Sequence, residues 1–126
     1  MINPLLKRIL CVEDDSQLRS ILVACLSWRG FEVITAGDHT EALAQFSANQ
    51  GHFQCVITDH HLPNARGFEV IDSLREANYQ GPVILISGGI KDFELSEYYK
   101  RNIVAYLKKP FGLSALLDLV SKVARV

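Results

Sequence analysis

The sequence is sparing with the residues that build unusual folds. It has four prolines, one methionine and one tryptophan, which excludes a proline-rich linker or a low-complexity tract. Its three cysteines, Cys11, Cys25 and Cys55, are an odd number, each inside an apolar stretch. That excludes a disulfide framework and implies buried, reduced thiols in a cytoplasmic protein. A redox-sensing thiol would instead need exposure and a lowered pKa. Neither sign of charge is in excess: 13 basic against 14 acidic residues leave −1. A general attraction to nucleic acid or to an anionic membrane is thereby excluded, though not a local patch. The opening MINPLLKRILCVEDD has a short apolar run that soon meets three acids, so it reads as neither signal peptide nor transmembrane helix. The glycine-rich phosphate loops G-x-G-x-x-G and G-x-x-x-x-G-K-[ST] do not occur.

What is present is regular. The 126 residues, 48% of them hydrophobic, suit a single domain over 1–126 with a core that needs no staple. Short apolar runs alternate with helical patterns throughout. Strands are expected at 8–12, 31–35, 53–58, 82–86 and 103–107. Leu18, Ile21, Leu22, Cys25 and Leu26 share one face of a first helix, on which Trp28 is expected to be partly buried. Gly30 is placed to end that helix. Asp38 with Glu41 makes a capping box for a second helix, running to about Asn49. Further helices are expected at 67–77, at 92–101, and along Leu113, Leu116, Leu117, Val120 and Val123. Five βα units with near-continuous Val/Ile/Leu strands predict an α/β fold, a doubly wound parallel sheet with helices on both faces. Glu32 makes the second strand the most polar and so an edge.

Such folds bind ligands at the carboxyl ends of their strands. The first apolar run stops at Glu13-Asp14, followed by Asp15. The third, Cys55-Val56-Ile57-Thr58, stops at Asp59; the fourth at Ser87 and Gly88-Gly89; the fifth at Lys108-Lys109 and Pro110. Clustered carboxylates repel, and they persist only around something cationic. Mg²⁺ takes carboxylate and water oxygens, and Lys109 adds one more positive charge. Three acids, Mg²⁺ and Lys109 sum to zero formal charge, which suits a phosphoryl group arriving on one carboxylate. Ser87 can offer a hydroxyl, and Gly88 a backbone N–H. Asp15 or Ser16 suits a helix cap, and Lys108 reads as a solvated lysine. His39 and His52 read as surface residues, and the adjacent His60 and His61 are not expected to converge on a transition metal.

The ordered fragments ILCVEDD, VITDHHLPNARGFEVI, PVILISGG and AYLKKPF resemble the receiver domain of two-component response regulators. The resemblance covers essentially the whole chain and implies a flavodoxin-like, CheY-like sheet of order 2-1-3-4-5. It implies that Asp59 is the phosphoacceptor, that Asp14 binds Mg²⁺ directly and Glu13 mainly through water, and that Asp59 and the backbone carbonyl of His61 are further ligands. Ser87 and Lys109 would contact the phosphoryl group, Tyr106 would be the switch aromatic, and Lys109-Pro110 would be cis. Two positions depart from the pattern: Ala65-Arg66 stand where Met-Asp is frequent, and Gly88 where alanine is common. The loop GGIKD is therefore expected to be mobile. His61 and Gly89 occupy positions that set how long the phosphoryl group lasts, and the small Gly89 implies a short lifetime.

The implied donor is a sensor histidine kinase or a histidine phosphotransfer protein, docking on the first helix with Gln17, Arg19 and Ser20 as candidates. The implied relay surface is the fourth helix, fifth strand and fifth helix, acting on a downstream protein or a fused output domain; a homodimer is possible. This domain itself is expected to bind neither nucleic acid nor membrane, and to be a signalling domain rather than an enzyme. Three rivals fit less well. A haloacid-dehalogenase-like phosphatase needs Asp-x-Asp after the first strand, a flavodoxin-like cofactor binder lacks its phosphate loop in EDDSQ, and a phosphorylation-independent scaffold would not need a complete acidic set. The tail VSKVARV lacks the charged end expected of a receiver feeding a winged-helix factor, so a stand-alone receiver or a piece of a longer kinase or regulator is expected.

Overall fold

In the computed structural model, which describes residues 7–124, strands and helices alternate without exception. They are β1 (Arg8–Val12), α1 (Ser16–Trp28), β2 (Glu32–Ala36), α2 (His39–Ala48), β3 (Cys55–Asp59), α3 (Gly67–Glu76), β4 (Val83–Ser87), α4 (Asp92–Tyr99), β5 (Ala105–Lys108) and α5 (Leu113–Val123). The first six residues and Arg125-Val126, on which the readings of the leader and tail partly bear, lie outside the described residues. All pairings between the five strands are parallel, and the sheet order is β2-β1-β3-β4-β5, with β2 at an edge as Glu32 suggested.

Four strands begin one or two residues later than their apolar runs, and all four end one residue later. Phe53 and Ile103 are buried but precede the ladder. At the other end Asp59 pairs with Ile86, and Ser87 with Lys108. Apolarity marks burial, whereas the ladder runs on into the polar rim.

Strand side chains alternate between two cores. Leu10, Val12, Val56, Val83 and Leu85 pack under α2, α3 and α4, with Ala42, Phe46, Val70, Ile71, Leu74 and Tyr98. Ile9, Cys11, Cys55, Ile57, Ile84 and Ile86 pack under α1 and α5, with Leu22, Leu26, Leu116 and Val120. Each fully buried aliphatic side chain contributes about 2 kcal/mol before entropic costs. Cys11 and Cys55 lie in the core as expected, but Cys25 is only half-buried. Trp28 corrects the expectation of partial burial: it is 82% exposed. Six residues beyond Leu22 it has turned by about 240° from the buried stripe. His39 and His52 are half-buried rather than at the surface, and His39 Nε2 lies 2.9 Å from Ser73 Oγ.

Asp15 caps α1, accepting the amides of Gln17 and Leu18, and Asp38 caps α2, accepting that of Glu41. Gly30 stops α1 at φ +92°, a conformation open chiefly to glycine. Gly67 opens α3 for another reason. A Cβ there would stand 2.3 Å from the Asp59 carbonyl oxygen and 2.8 Å from the Tyr98 hydroxyl. Gly67→Ala should therefore cost about 2–3 kcal/mol in urea unfolding. Gly88→Ala, with nothing within 4 Å of its Cβ, should stay within about 0.5 kcal/mol. Equal effects at the two sites would contradict this packing.

Candidate functional site

Two-residue alternation carries Glu13, Asp59 and Lys109 to one side of the rim. They continue the rows Ile9-Cys11, Cys55-Ile57 and Leu107, all of which face α1 and α5. Lys109 Nζ lies 2.6 Å from Glu13 Oε1 and 2.9 Å from Asp59 Oδ2. The Lys109 amide donates to the Ser87 carbonyl at 2.8 Å, which fixes the lysine backbone against the end of β4, and the Lys109-Pro110 bond is cis. The second Asp59 oxygen, Oδ1, accepts the His60 amide at 2.7 Å and, more weakly, that of His61 at 3.4 Å. Glu13 Oε2 accepts the Asp15 amide at 3.0 Å.

Glu13 and Asp59 are 1% and 5% exposed, so their charges are costly without a cation. Burial pushes the Glu13 carboxyl up; the Lys109 and Asp15 hydrogen bonds oppose this, and the nearby Asp59 charge adds to it. For Lys109, burial pulls the ammonium down, but hydrogen bonds to Glu13 and Asp59 outweigh it and leave the pKa above the ordinary lysine value. Asp14 is exposed beside them. Glu13, Asp14 and Asp59 each offer an oxygen, all within 4.8 Å of one another. Three carboxylates against one lysine leave two negative charges in this small space. The donor set is all hard oxygen, which fits a divalent cation of the Mg²⁺ kind.

The other expected residues lie on β4, β5 and the loops after β3 and β4. Ser87 is fully buried, and its hydroxyl donates to the Gly89 carbonyl at 3.2 Å. By alternation it belongs with Val83 and Leu85, facing the α2-α3-α4 side. Tyr106 is half-buried and packs on that core, its hydroxyl reaching the Ser87 carbonyl at the long distance of 3.5 Å. Gly88 and Gly89 face open space. His61 is exposed and forms an isolated bridge with Arg66 across the loop after β3.

Two features were not read from the sequence. Arg19, a candidate for docking a donor, turns toward the rim and donates through Nη1 to the carbonyls of Glu13 at 2.7 Å and Asp14 at 3.1 Å. It pins the acidic loop; Gln17 and Ser20 are exposed. The other is His60, fully buried, whose ring contacts Tyr98 and Glu94. Alternation alone could have turned one histidine of the pair inward. Its partners on α4 left no local signal.

The fold and this rim define a class, the phosphoacceptor domains of signalling systems. The sequence profile of the response regulator receiver domain matches residues 9–121. The chain is 36% identical over 109 residues to the transcriptional activator protein PfeR of Pseudomonas aeruginosa, covering 86% of this chain and 35% of PfeR. It is 31% identical over 115 residues to transcription factor prr1 of Schizosaccharomyces pombe, covering 91% of this chain and 21% of that protein. It thus spans about a fifth to a third of these relatives. Among solved structures, the chemotaxis protein CheY4 of Vibrio cholerae superposes with a TM-score of 0.84 at 28% identity, covering 94% of this chain and 98% of that one. A CheY-like receiver domain protein of Methanospirillum hungatei reaches 0.87 at 25% identity, covering 94% of each chain. The chain belongs to the response regulator receiver domain family.

The crowded carboxylates make a testable statement. In chelator, Asp14→Asn removes one like charge and should stabilise the protein by about 1 kcal/mol, raising the melting midpoint by about 4 °C. A lowered midpoint would mean that Asp14 is held by a contact other than this repulsion.

Proposed function

We propose that Asp59 is the phosphoacceptor and that the domain takes a phosphoryl group from the phosphohistidine of a sensor histidine kinase or a histidine phosphotransfer protein. The observation that carries this reading is Lys109 Nζ within hydrogen-bond distance of both Glu13 and Asp59. A carboxylate oxygen of Asp59 attacks phosphorus in line with the leaving nitrogen. The O–P bond forms, the P–N bond breaks, and its electron pair returns to the donor imidazole. The attacking carboxylate has no proton to lose, so the side chains of this site need only orient and neutralise charge. Lys109 shifts from Glu13 and Asp59 toward the transferred oxygens. Ser87 exchanges its bond to Gly89 for one to the phosphoryl group. Mg²⁺ held by Glu13, Asp14, Asp59 and the His61 carbonyl would supply the remaining positive charge on those oxygens.

Drawing Ser87 toward the phosphoryl group vacates space on the α4 side, where Tyr106 can turn inward. The surface of α4, β5 and α5 is thereby altered for a downstream protein or a fused output domain, with a second copy of the chain a further possible partner. Several relatives are transcriptional regulators by name, which favours an output of that kind. Glu13, Asp14, Asp59, Ser87 and Lys109 act once per phosphorylation, as parts of a switch rather than of a turnover enzyme. Among the described residues no helix is long and apolar enough to cross a membrane. Burial pushes the Cys55 thiol up to about 12, and that of Cys11 higher still, so both suit a reducing cytoplasm.

Incubation with a small-molecule phosphodonor and Mg²⁺ should add one phosphoryl mass to the wild-type protein. Asp59→Asn should give no adduct, and chelator should slow wild-type labelling by at least about a hundredfold, the scale of one lost electrostatic stabiliser. An adduct that survives Asp59→Asn would sink the assignment.

A further inference from the structure

His60 follows Asp59 directly, and alternation sends the two side chains to opposite sides of the sheet. Asp59 meets Lys109 at the rim, while the His60 ring enters the core beneath α4, fully buried. There Nδ1 lies 2.6 Å from the Tyr98 hydroxyl and Nε2 3.0 Å from Glu94 Oε2. The directions of these bonds follow from the groups themselves. The Phe68 amide can only donate, and it lies 3.0 Å from the Tyr98 oxygen. The hydroxyl proton then goes to His60 Nδ1, and the Nε2 proton to Glu94. Glu94 is fixed in turn, because its other oxygen accepts the Lys91 amide at 3.3 Å and so caps α4. One chain of satisfied bonds therefore joins the loop after β3, the start of α3 and the start of α4.

The same residue reads the acceptor through its backbone. The His60 amide lies 2.7 Å from Asp59 Oδ1 and 3.2 Å from the Ile86 carbonyl, shared between carboxylate and sheet. An amide facing a full carboxylate makes a charge-assisted bond. Turning that carboxylate into an acyl phosphate weakens the pull on the amide. Helix α4 is otherwise lightly packed: of its residues only Tyr98 is buried, Leu95 packs partly on the core, and Phe93 and Tyr99 are exposed, while its last turn is tied to Asp72 of α3 through Arg101, which also bonds Glu97. A directional polar chain in a buried place holds one geometry and is costly to break halfway. Such a chain favours two discrete positions of α4 over gradual sliding.

We propose that His60 couples the chemical state of Asp59 to the docking of α4 through Tyr98 and Glu94, a second relay beside that of Ser87 and Tyr106. It rests on Asp59 being the phosphoacceptor. With Asp59 unmodified the chain is closed and α4 is held. With Asp59 phosphorylated the His60 amide moves toward Ile86, the ring follows, and Tyr98 and Glu94 lose their shared partner. Helix α4 loosens, and Phe93 and Tyr99 present a changed surface.

Hydrogen exchange over residues 92–99, read with and without phosphodonor and Mg²⁺ alongside intact mass, tests the relay. Adduct formation should speed wild-type exchange there by at least about tenfold. Tyr98→Phe, which removes only the hydroxyl, should exchange at the fast rate before phosphorylation, with α1 and α5 unchanged and the adduct still forming. His60→Leu, which keeps the amide but removes the ring contacts, should likewise show no further step on phosphorylation. The relay is overturned if the phosphorylation step over 92–99 persists in both variants, or if Tyr98→Phe speeds exchange evenly everywhere, as simple destabilisation would. A wild-type adduct without any change over 92–99 overturns the relay but leaves the phosphoacceptor standing. No adduct at all overturns both.

Discussion

The ammonium of Lys109 stands between the carboxylates of Glu13 and Asp59, and most of the architecture serves to put it there. The three residues lie on β1, β3 and β5 or just beyond them, so no short segment could assemble the contact. The order β2-β1-β3-β4-β5 places β1 beside β3 but leaves β4 between β3 and β5. The lysine must therefore lie beyond the end of β5 and reach across β4, where its amide is tied to the Ser87 carbonyl. Without that cation Glu13, almost wholly buried and already pushed toward protonation, would be an uncompensated charge.

The sheet also separates chemistry from response. Glu13, Asp59 and Lys109 project toward α1 and α5, whereas His60, Ser87 and Tyr106 lie on the side of α2, α3 and α4. Asp59 and His60 are neighbours in the chain and occupy opposite faces. A change of charge on one face thus needs to travel only one peptide unit to reach the other. Gly67 belongs to the same design, since a side chain there would push the start of α3 off the Asp59 carbonyl and the Tyr98 hydroxyl.

Much of this was legible in the sequence because apolar runs ending in acids, a hydroxyl and a lysine recur at strand-helix spacing. The strand count, the central stripe of each helix face, the Asp15 and Asp38 caps and the membership of the acidic centre all follow from local pattern and residue type, whereas Ile21 and Leu113, expected on the apolar faces of α1 and α5, lie at their margins and are exposed. What could not be read involved long-range partners. Arg19 looks like an exposed helix residue until the carbonyl ends of β1 are seen beneath it. His60 looks like a loop polar residue until Tyr98, 38 positions away, is found against it. Trp28 was misplaced for a different reason: a large aromatic favours burial in general, but the helical phase at the end of α1 points this one to solvent.

The most direct measurement is a crystal structure grown with Mg²⁺ and beryllofluoride, which mimics a phosphoryl group on a carboxylate. Density continuous with the Asp59 carboxylate is predicted, with Lys109 turned to a fluoride and Glu13 and Asp14 gathered on the metal side. Density on another carboxylate, or none at saturating reagent, or Lys109 remote from the bound group, would contradict the proposed transfer.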